Sequence, residues 1–217
     1  MNYRCEDAPG FELLAPADPR RSRYDVLELL AVMRSLRYNE SFNSISFRNV
    51  DLTGLHGQRD PHGDDHVPYT TKSGEPINMP QQRDMWLLIQ EIQALALKSK
   101  KLRRLDFTNC IKRIPVDFDD SRDIGCGICE AIFPLCARQL TNVDWITLNG
   151  IALADADIDY LYAAAINKLC HFRALDLGNC ALGMTVFNLQ LWIGDFSYQA
   201  ASTLCSYYQS ALSARCM

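Results

Sequence analysis

The sequence predicts an α/β protein built as a solenoid, in which parallel strands and helices alternate along the chain. Four segments fit one template, with apolar residues at positions 1, 4, 6 and 11 and a small or amide residue near position 9. Segments with one apolar stripe of helical period lie between them. Because one strand and one helix cannot bury their apolar faces alone, we expect about four stacked units. Their strands line the concave face of an arc, and their helices form its convex face.

The chain is expected to open with a disordered leader over residues 1–23, which carry three prolines and no apolar period. From residue 24, apolar side chains recur at three- and four-residue steps, which predicts a helix that begins beside Asp25. The apolar positions of this helix are Val26, Leu29, Leu30, Met33 and Leu36. We expect the helix to cover the N-terminal edge of the solenoid.

The four template segments begin at Phe42, Leu102, Val143 and Phe172. Since side chains alternate along a strand, positions 4 and 6 are expected to point to the core, whereas positions 3, 5 and 7 line the concave face. The residues at position 4 are Ile45, Leu105, Ile146 and Leu175. Lys112 stands against the pattern at position 11 of the second segment.

Further helices are predicted over 83–98, 121–138 and 157–169, where one face of each segment is apolar. The third and fourth position-4 residues are 29 residues apart, at the upper end of the length of such units. The first and second are 60 residues apart. That excess coincides with residues 56–82, a polar segment rich in proline and glycine that we interpret as a disordered insertion loop rather than an extra unit.

This pattern resembles the ribonuclease-inhibitor-like leucine-rich-repeat superfamily, over roughly residues 24–183. Within it, the segment 36–52, LRYNESFNSISFRNVDL, resembles the first repeat of CARMIL-type proteins, the capping-protein-linking regulators of actin. The pleckstrin-like domain and the capping-protein-binding tail of that family are not visible here, so capping-protein regulation is not carried over to any residue. The resemblance implies a binding scaffold, such as a cytoskeletal or signalling regulator.

Residues 184–217 depart from the template, and only Asp195 and Arg215 are charged among them. A polar capping unit is the usual end of a solenoid. Two explanations are open: the tail folds back as an improvised cap, or the chain is a truncated product of a longer repeat protein. We favour truncation, which would leave an open apolar edge that invites self-association.

The predicted binding residues lie at the concave positions. Trp145 is expected to be exposed beside Arg104 on the neighbouring strand, an aromatic–cation pair that suits a protein interface. The alternative is that the tail or the loop of the chain itself covers Trp145. The predicted contact residues are Arg48, Arg104, Asp106, Trp145, Thr147, Asn149 and Asp176.

Three polar motifs are weighed as catalytic or metal sites, and none is favoured. The insertion loop gathers histidines and acids in a spacing that follows no known metal site, at His56, Asp60, His62, Asp64, Asp65 and His66. The Cys126–Cys129 motif lacks a second pair of ligands, so buried thiols are expected. Cys170 and His171 are adjacent, and such neighbours rarely face each other as nucleophile and base. We predict no enzyme, no cofactor and no metal.

Composition narrows the function further. The net charge of −4 argues against a nucleic-acid-binding protein. No apolar run reaches the ~18 residues of a membrane span, and the N-terminus lacks the apolar core of a secretory signal, so a cytoplasmic or nuclear protein with reduced cysteines is expected. The leading hypothesis is a protein–protein interaction scaffold. The alternatives are a GTPase activator, because Ran GTPase-activating proteins share this repeat type, and a non-functional fragment of a longer repeat protein.

Overall fold

The computed structural model describes residues 9–18, 20–62, 85–112, 125–168, 170–182 and 185–192. Within these ranges one sheet holds six strands in the order of the chain. The strands are β1 (Gly10–Glu12), β2 (Ser44–Ser46), β3 (Arg104–Asp106), β4 (Trp145–Thr147), β5 (Ala174–Leu182) and β6 (Thr185–Trp192). The first five strands run parallel, and β6 pairs antiparallel with β5. The predicted α/β class is confirmed.

Four helices lie side by side in chain order, each in contact with the next: α1 (Val26–Tyr38), α2 (Leu87–Lys98), α3 (Ile128–Ala137) and α4 (Asp155–Ala165). Each falls inside or close to a range with a predicted apolar stripe. None of these described helices has both the length and the apolar character that crossing a membrane requires.

The core lies between the helices and the inner face of the sheet. The four residues at template position 4 are cross-strand partners, and each is no more than 1% exposed: Ile45, Leu105, Ile146 and Leu175. At position 6, the rings of Phe47 and Phe107 stack with centroids 5.8 Å apart. The predicted inward direction of positions 4 and 6 is therefore confirmed.

A left-handed residue follows position 7 of every template segment, at Asn49, Asn109, Gly150 and Asn179, with φ between 54° and 76°. Asparagine and glycine tolerate this conformation better than other residues do. The turn directs the next side chain inward, and those side chains are buried: Val50, Cys110, Ile151 and Cys180. The small residues that the sequence shows near position 9 thus belong to a tight turn.

The prediction of a disordered leader is wrong for the described part of residues 1–23. Residues 10–12 form β1, the N–H of Asn43 donates to the carbonyl of Pro9 at 2.9 Å, and that of Leu13 donates to Ser46 at 2.9 Å. The edge of β2 is therefore covered by a strand, not by α1, because a strand satisfies the edge amides and carbonyls that a helix leaves unpaired.

The described part of the tail folds back. Residues 185–192 form β6, which pairs with β5 as an antiparallel strand, as the fold-back alternative describes. Truncation stays a prediction, because a fold-back strand is compatible with it. The remaining residues, 193–217, lie outside the described ranges.

The insertion loop is described up to residue 62, and this part is ordered by contacts. The N–H of Leu87 donates to the carbonyl of Gln58 at 2.8 Å, so the chain returns to the point where it left. Arg34 of α1 also forms an ion pair with Asp60 at 2.7 Å. The predicted disorder is wrong for residues 56–62, and residues 63–84 lie outside the described ranges.

Candidate functional site

Two columns of side chains cross the sheet on the face opposite the helices, which we call the open face. Cross-strand pairing aligns the first column as Ser44, Arg104, Trp145 and Ala174, and the second as Ser46, Asp106, Thr147 and Asp176. A hollow of about 430 Å³ lies over these columns. The structure brings together at this hollow all seven predicted contact residues: Arg48, Arg104, Asp106, Trp145, Thr147, Asn149 and Asp176.

Trp145 and Arg104 are in contact with each other in the hollow. The guanidinium carbon of Arg104 lies 4.6 Å from the centroid of the Trp145 ring. Trp145 is half-buried and the Arg104 side chain is 44% exposed, so both remain within reach of a partner. Such a pair is worth about 0.5–1 kcal/mol at an exposed site, and it fixes the ring in one orientation.

The acidic side chains of the hollow are held by their own turns. Oδ1 of Asp106 accepts hydrogen bonds from the backbone N–H and the hydroxyl of Thr108, at 3.0 and 2.6 Å. Oδ1 of Asp176 accepts from the N–H of Gly178 at 2.8 Å. Oδ2 of Asp106 lies 4.0 Å from the Arg104 guanidinium, and Oδ2 of Asp176 accepts from the Asn149 amide at 3.5 Å.

Two of the predicted concave residues are more buried than an exposed position would be. Asp106 is 7% exposed and Thr147 is 5% exposed. Both belong to central strands with a neighbour on each side, so short side chains lie at the floor of the hollow while Arg104 and Trp145 form its wall.

Asparagine side chains extend the hollow along the turns. The Asn109 amide donates to Oδ1 of Asn49 at 3.1 Å, and the Asn179 amide donates to Oδ1 of Asn149 at 3.1 Å. Of these, Asn109 and Asn179 line the hollow but were not predicted as site residues. The signal that would have found them is an asparagine directly before the buried small residue of the template.

The alternative that the chain itself covers Trp145 concerns the loop and the tail. Residues 63–84 of the loop and 193–217 of the tail lie outside the described ranges.

The described part of the histidine-rich loop does not converge on one point. His56 is 9% exposed, and its ring lies 5.2 Å from that of Trp86. Asp60 pairs instead with Arg34, whose hydrogen bond lowers the pKa of this carboxyl. His62 is exposed, while Asp64, Asp65 and His66 lie outside the described ranges. Asp60 also accepts the backbone N–H of His62 at 2.9 Å, but no three ligand groups of the described loop residues converge.

The six cysteines of the described ranges are buried and form no disulfide, as expected for structural thiols. Cys129 is 1% exposed and faces the core. Burial raises the pKa of Cys170 to about 12, so this thiol is protonated at neutral pH, and the adjacent His171 is exposed. Cys126 and Cys129 have a neighbour that sequence reasoning missed, Asp157 of α4.

Comparison with protein-family models, with curated proteins and with solved structures finds no match for this chain.

Proposed function

We propose that the chain is a leucine-rich-repeat scaffold that binds another protein through its open face, which is the concave side of a short solenoid. The observation that carries this proposal is the stacked pair of Trp145 and Arg104 beside a polar hollow of about 430 Å³. Aromatic and arginine side chains are the residues most enriched among binding hot spots.

The repeated units support the solenoid part of the proposal. Each of the four template segments carries a three-residue or longer strand, a left-handed turn residue and an inward side chain, in the same order and in register with its neighbour. A one-dimensional stack of like units is the architecture that such a repeat favours, because every unit buries its apolar face on the next.

The charges of the open face suit a partner segment of mixed charge. Arg48 is exposed at one side of the hollow, and Asp176 lies at the other side with Asn149 3.5 Å from its Oδ2. An acidic group of the partner would meet the arginines, and a basic group would meet the aspartates. Such complementarity favours one orientation of the bound partner.

Affinity capture from a cell extract followed by mass spectrometry tests the proposal. A partner retained by the wild-type protein should be lost with Trp145→Ala, since removal of a hot-spot side chain costs at least about 2 kcal/mol, or roughly a thirtyfold loss of affinity.

The matched control is Tyr38→Ala. Tyr38 is also an exposed aromatic residue in contact with a cation, with Lys98 Nζ 3.9 Å from its ring centroid, but it lies on the helix layer. Capture should survive this change. Equal capture by the wild-type protein and by Trp145→Ala, with the fold of both checked by circular dichroism, would refute binding through the open face.

A further inference from the structure

Three potential metal ligands converge on the helix side of the sheet. Cys126 Sγ lies 3.9 Å from Cys129 Sγ and 3.2 Å from Asp157 Oδ1. All three side chains are buried, and their ligand atoms lie within 4.8 Å of one another. In the part of the chain that the structure describes, no other group of three histidine, cysteine or acidic side chains is this close.

The local backbone holds these ligands together. Gly125 and Gly127, with φ of 64° and 77°, flank Cys126, and the chain then enters α3. A Cβ on Gly125 would lie 2.7 Å from the Asp157 carboxyl group, so only glycine fits there. Asp157 Oδ2 accepts the N–H groups of Cys126 at 2.8 Å and of Ala154 at 3.0 Å. The carboxyl group is thereby oriented with Oδ1 toward the thiols.

A buried imidazole lies near this group but is not part of it. His56 is 9% exposed, and its Nε2 lies 3.9 Å from the position that a Cβ on Gly127 would occupy, next to the turn that joins the two cysteines. Its nitrogens are not among the ligand atoms that lie within 4.8 Å of one another. The described residues therefore supply three ligands.

We propose that Cys126, Cys129 and Asp157 supply three ligands of a zinc site. Zinc favours four ligands in tetrahedral geometry, and a water molecule takes the fourth position where a protein supplies three. Two Zn–S bonds of about 2.3 Å at the tetrahedral angle separate the sulfur atoms by about 3.8 Å. The observed Sγ–Sγ distance of 3.9 Å agrees with that value.

Binding exchanges protons for the metal and involves no change of oxidation state. Without the metal, burial raises the pKa of Asp157, and it raises the pKa of Cys129 well above its usual value. Zinc displaces the two thiol protons and any carboxyl proton, and these are released to solvent. The site would link the start of α3 to the first turn of α4, and so would stabilise two neighbouring units.

Metal analysis and cobalt substitution test the site. The protein, purified without a histidine tag or chelator, should contain one equivalent of zinc when its metal content is measured by inductively coupled plasma mass spectrometry. Titration of the metal-free protein with Co²⁺ should give the thiolate-to-cobalt charge-transfer band and the intense visible bands of a tetrahedral site. Absence of both zinc and these bands from the wild-type protein would overturn the proposal.

Variants test each ligand. Cys129→Ser and Asp157→Asn should weaken Co²⁺ binding at least tenfold, whereas Cys170→Ser, a buried thiol elsewhere, should bind as the wild type does. Undiminished affinity in Cys129→Ser or Asp157→Asn would refute the site. Trp145→Ala should retain the metal, so this test is independent of the proposed function.

Discussion

Polar side chains on the two sides of the sheet are satisfied in different ways. On the open face, Asp106 and Asp176 each accept a hydrogen bond from the backbone N–H two residues later, at 3.0 and 2.8 Å. On the helix side, the carboxylate of Glu91 is completely buried and binds Arg34, at 3.0 Å, and Arg37. These two arginines are 57 and 54 residues away in the sequence.

The contrast indicates which side is free to change. A hydrogen bond within one turn, such as that between Asp176 and Gly178, joins no two elements, so its loss leaves the neighbouring elements in place. A buried ion pair between α1 and α2 joins two elements, and removal of one partner leaves the other charged and buried. We therefore expect substitutions on the open face to change binding, and substitutions among the buried polar groups of the helix side to change stability.

The largest expected effect comes from Glu91→Ala. Arg37 is 3% exposed, and loss of its carboxylate partner should lower the free energy of unfolding by about 3–5 kcal/mol. Urea denaturation measures this loss. The control is Glu40→Ala, which removes an exposed acid after α1 and should change stability by less than about 0.5 kcal/mol. Equal losses of stability in the two variants would show that the buried ion pair of Glu91 does not stabilise the fold.

The second effect concerns His56 and depends on pH. Burial lowers the pKa of this imidazole from 6.5 to about 4. The unfolded chain therefore takes up a proton on His56 near pH 6.5, whereas the folded chain does so only near pH 4. The contribution of neutral His56 to the free energy of unfolding is fully present above pH 6.5 and is lost as the pH decreases to 4. The loss is expected to reach about 3 kcal/mol.

Urea denaturation at several pH values, with a chelator present to remove metal, measures this dependence. His56→Gln should flatten the curve between pH 4 and 6.5, the interval set by the two pKa values. His171→Gln, which changes an exposed histidine, should keep the slope of the wild type. A wild-type slope in His56→Gln would show that another group causes the acid sensitivity.

The smallest expected effect separates two contributions of Asn109 on the open face, its backbone conformation and its side-chain hydrogen bond. Asn109 has φ of 54°, and alanine in that conformation costs about 1–2 kcal/mol. Asn109→Gly also removes the hydrogen bond to Asn49 but accepts the backbone conformation, so its loss of stability should be smaller. Thermal unfolding of the two variants compares them. A glycine variant as unstable as the alanine variant would mean that the side-chain hydrogen bond, and not the backbone, matters most.

The repeated pattern predicted the parallel strands and their register correctly. Positions such as Leu105 and Ile146 carry the same information in each unit, and in-register stacking follows from burying them together. The same pattern gave no sign of β1 or β6. An edge strand pairs through its backbone, and its three residues Gly10–Glu12 have no side-chain period to detect.

For the site, the sequence predicted the column that contains Arg104 and Trp145, because alternation along a strand is a local rule. Burial of Asp106 depends on strands from elsewhere in the chain, and a local rule does not contain that information. The contact between Cys126 and Asp157, 31 residues apart, could not be predicted for the same reason.

The backbone hydrogen bond between Leu87 and Gln58 has a consequence for how this protein can vary. The two ends of the intervening stretch meet, and the entropy of closing such a stretch rises by only about 0.6 kcal/mol when its length doubles. Residues can accordingly be inserted or deleted between Gln58 and Leu87 while the adjacent strands keep their register. This junction is thus the natural place to graft a reporter or a foreign domain.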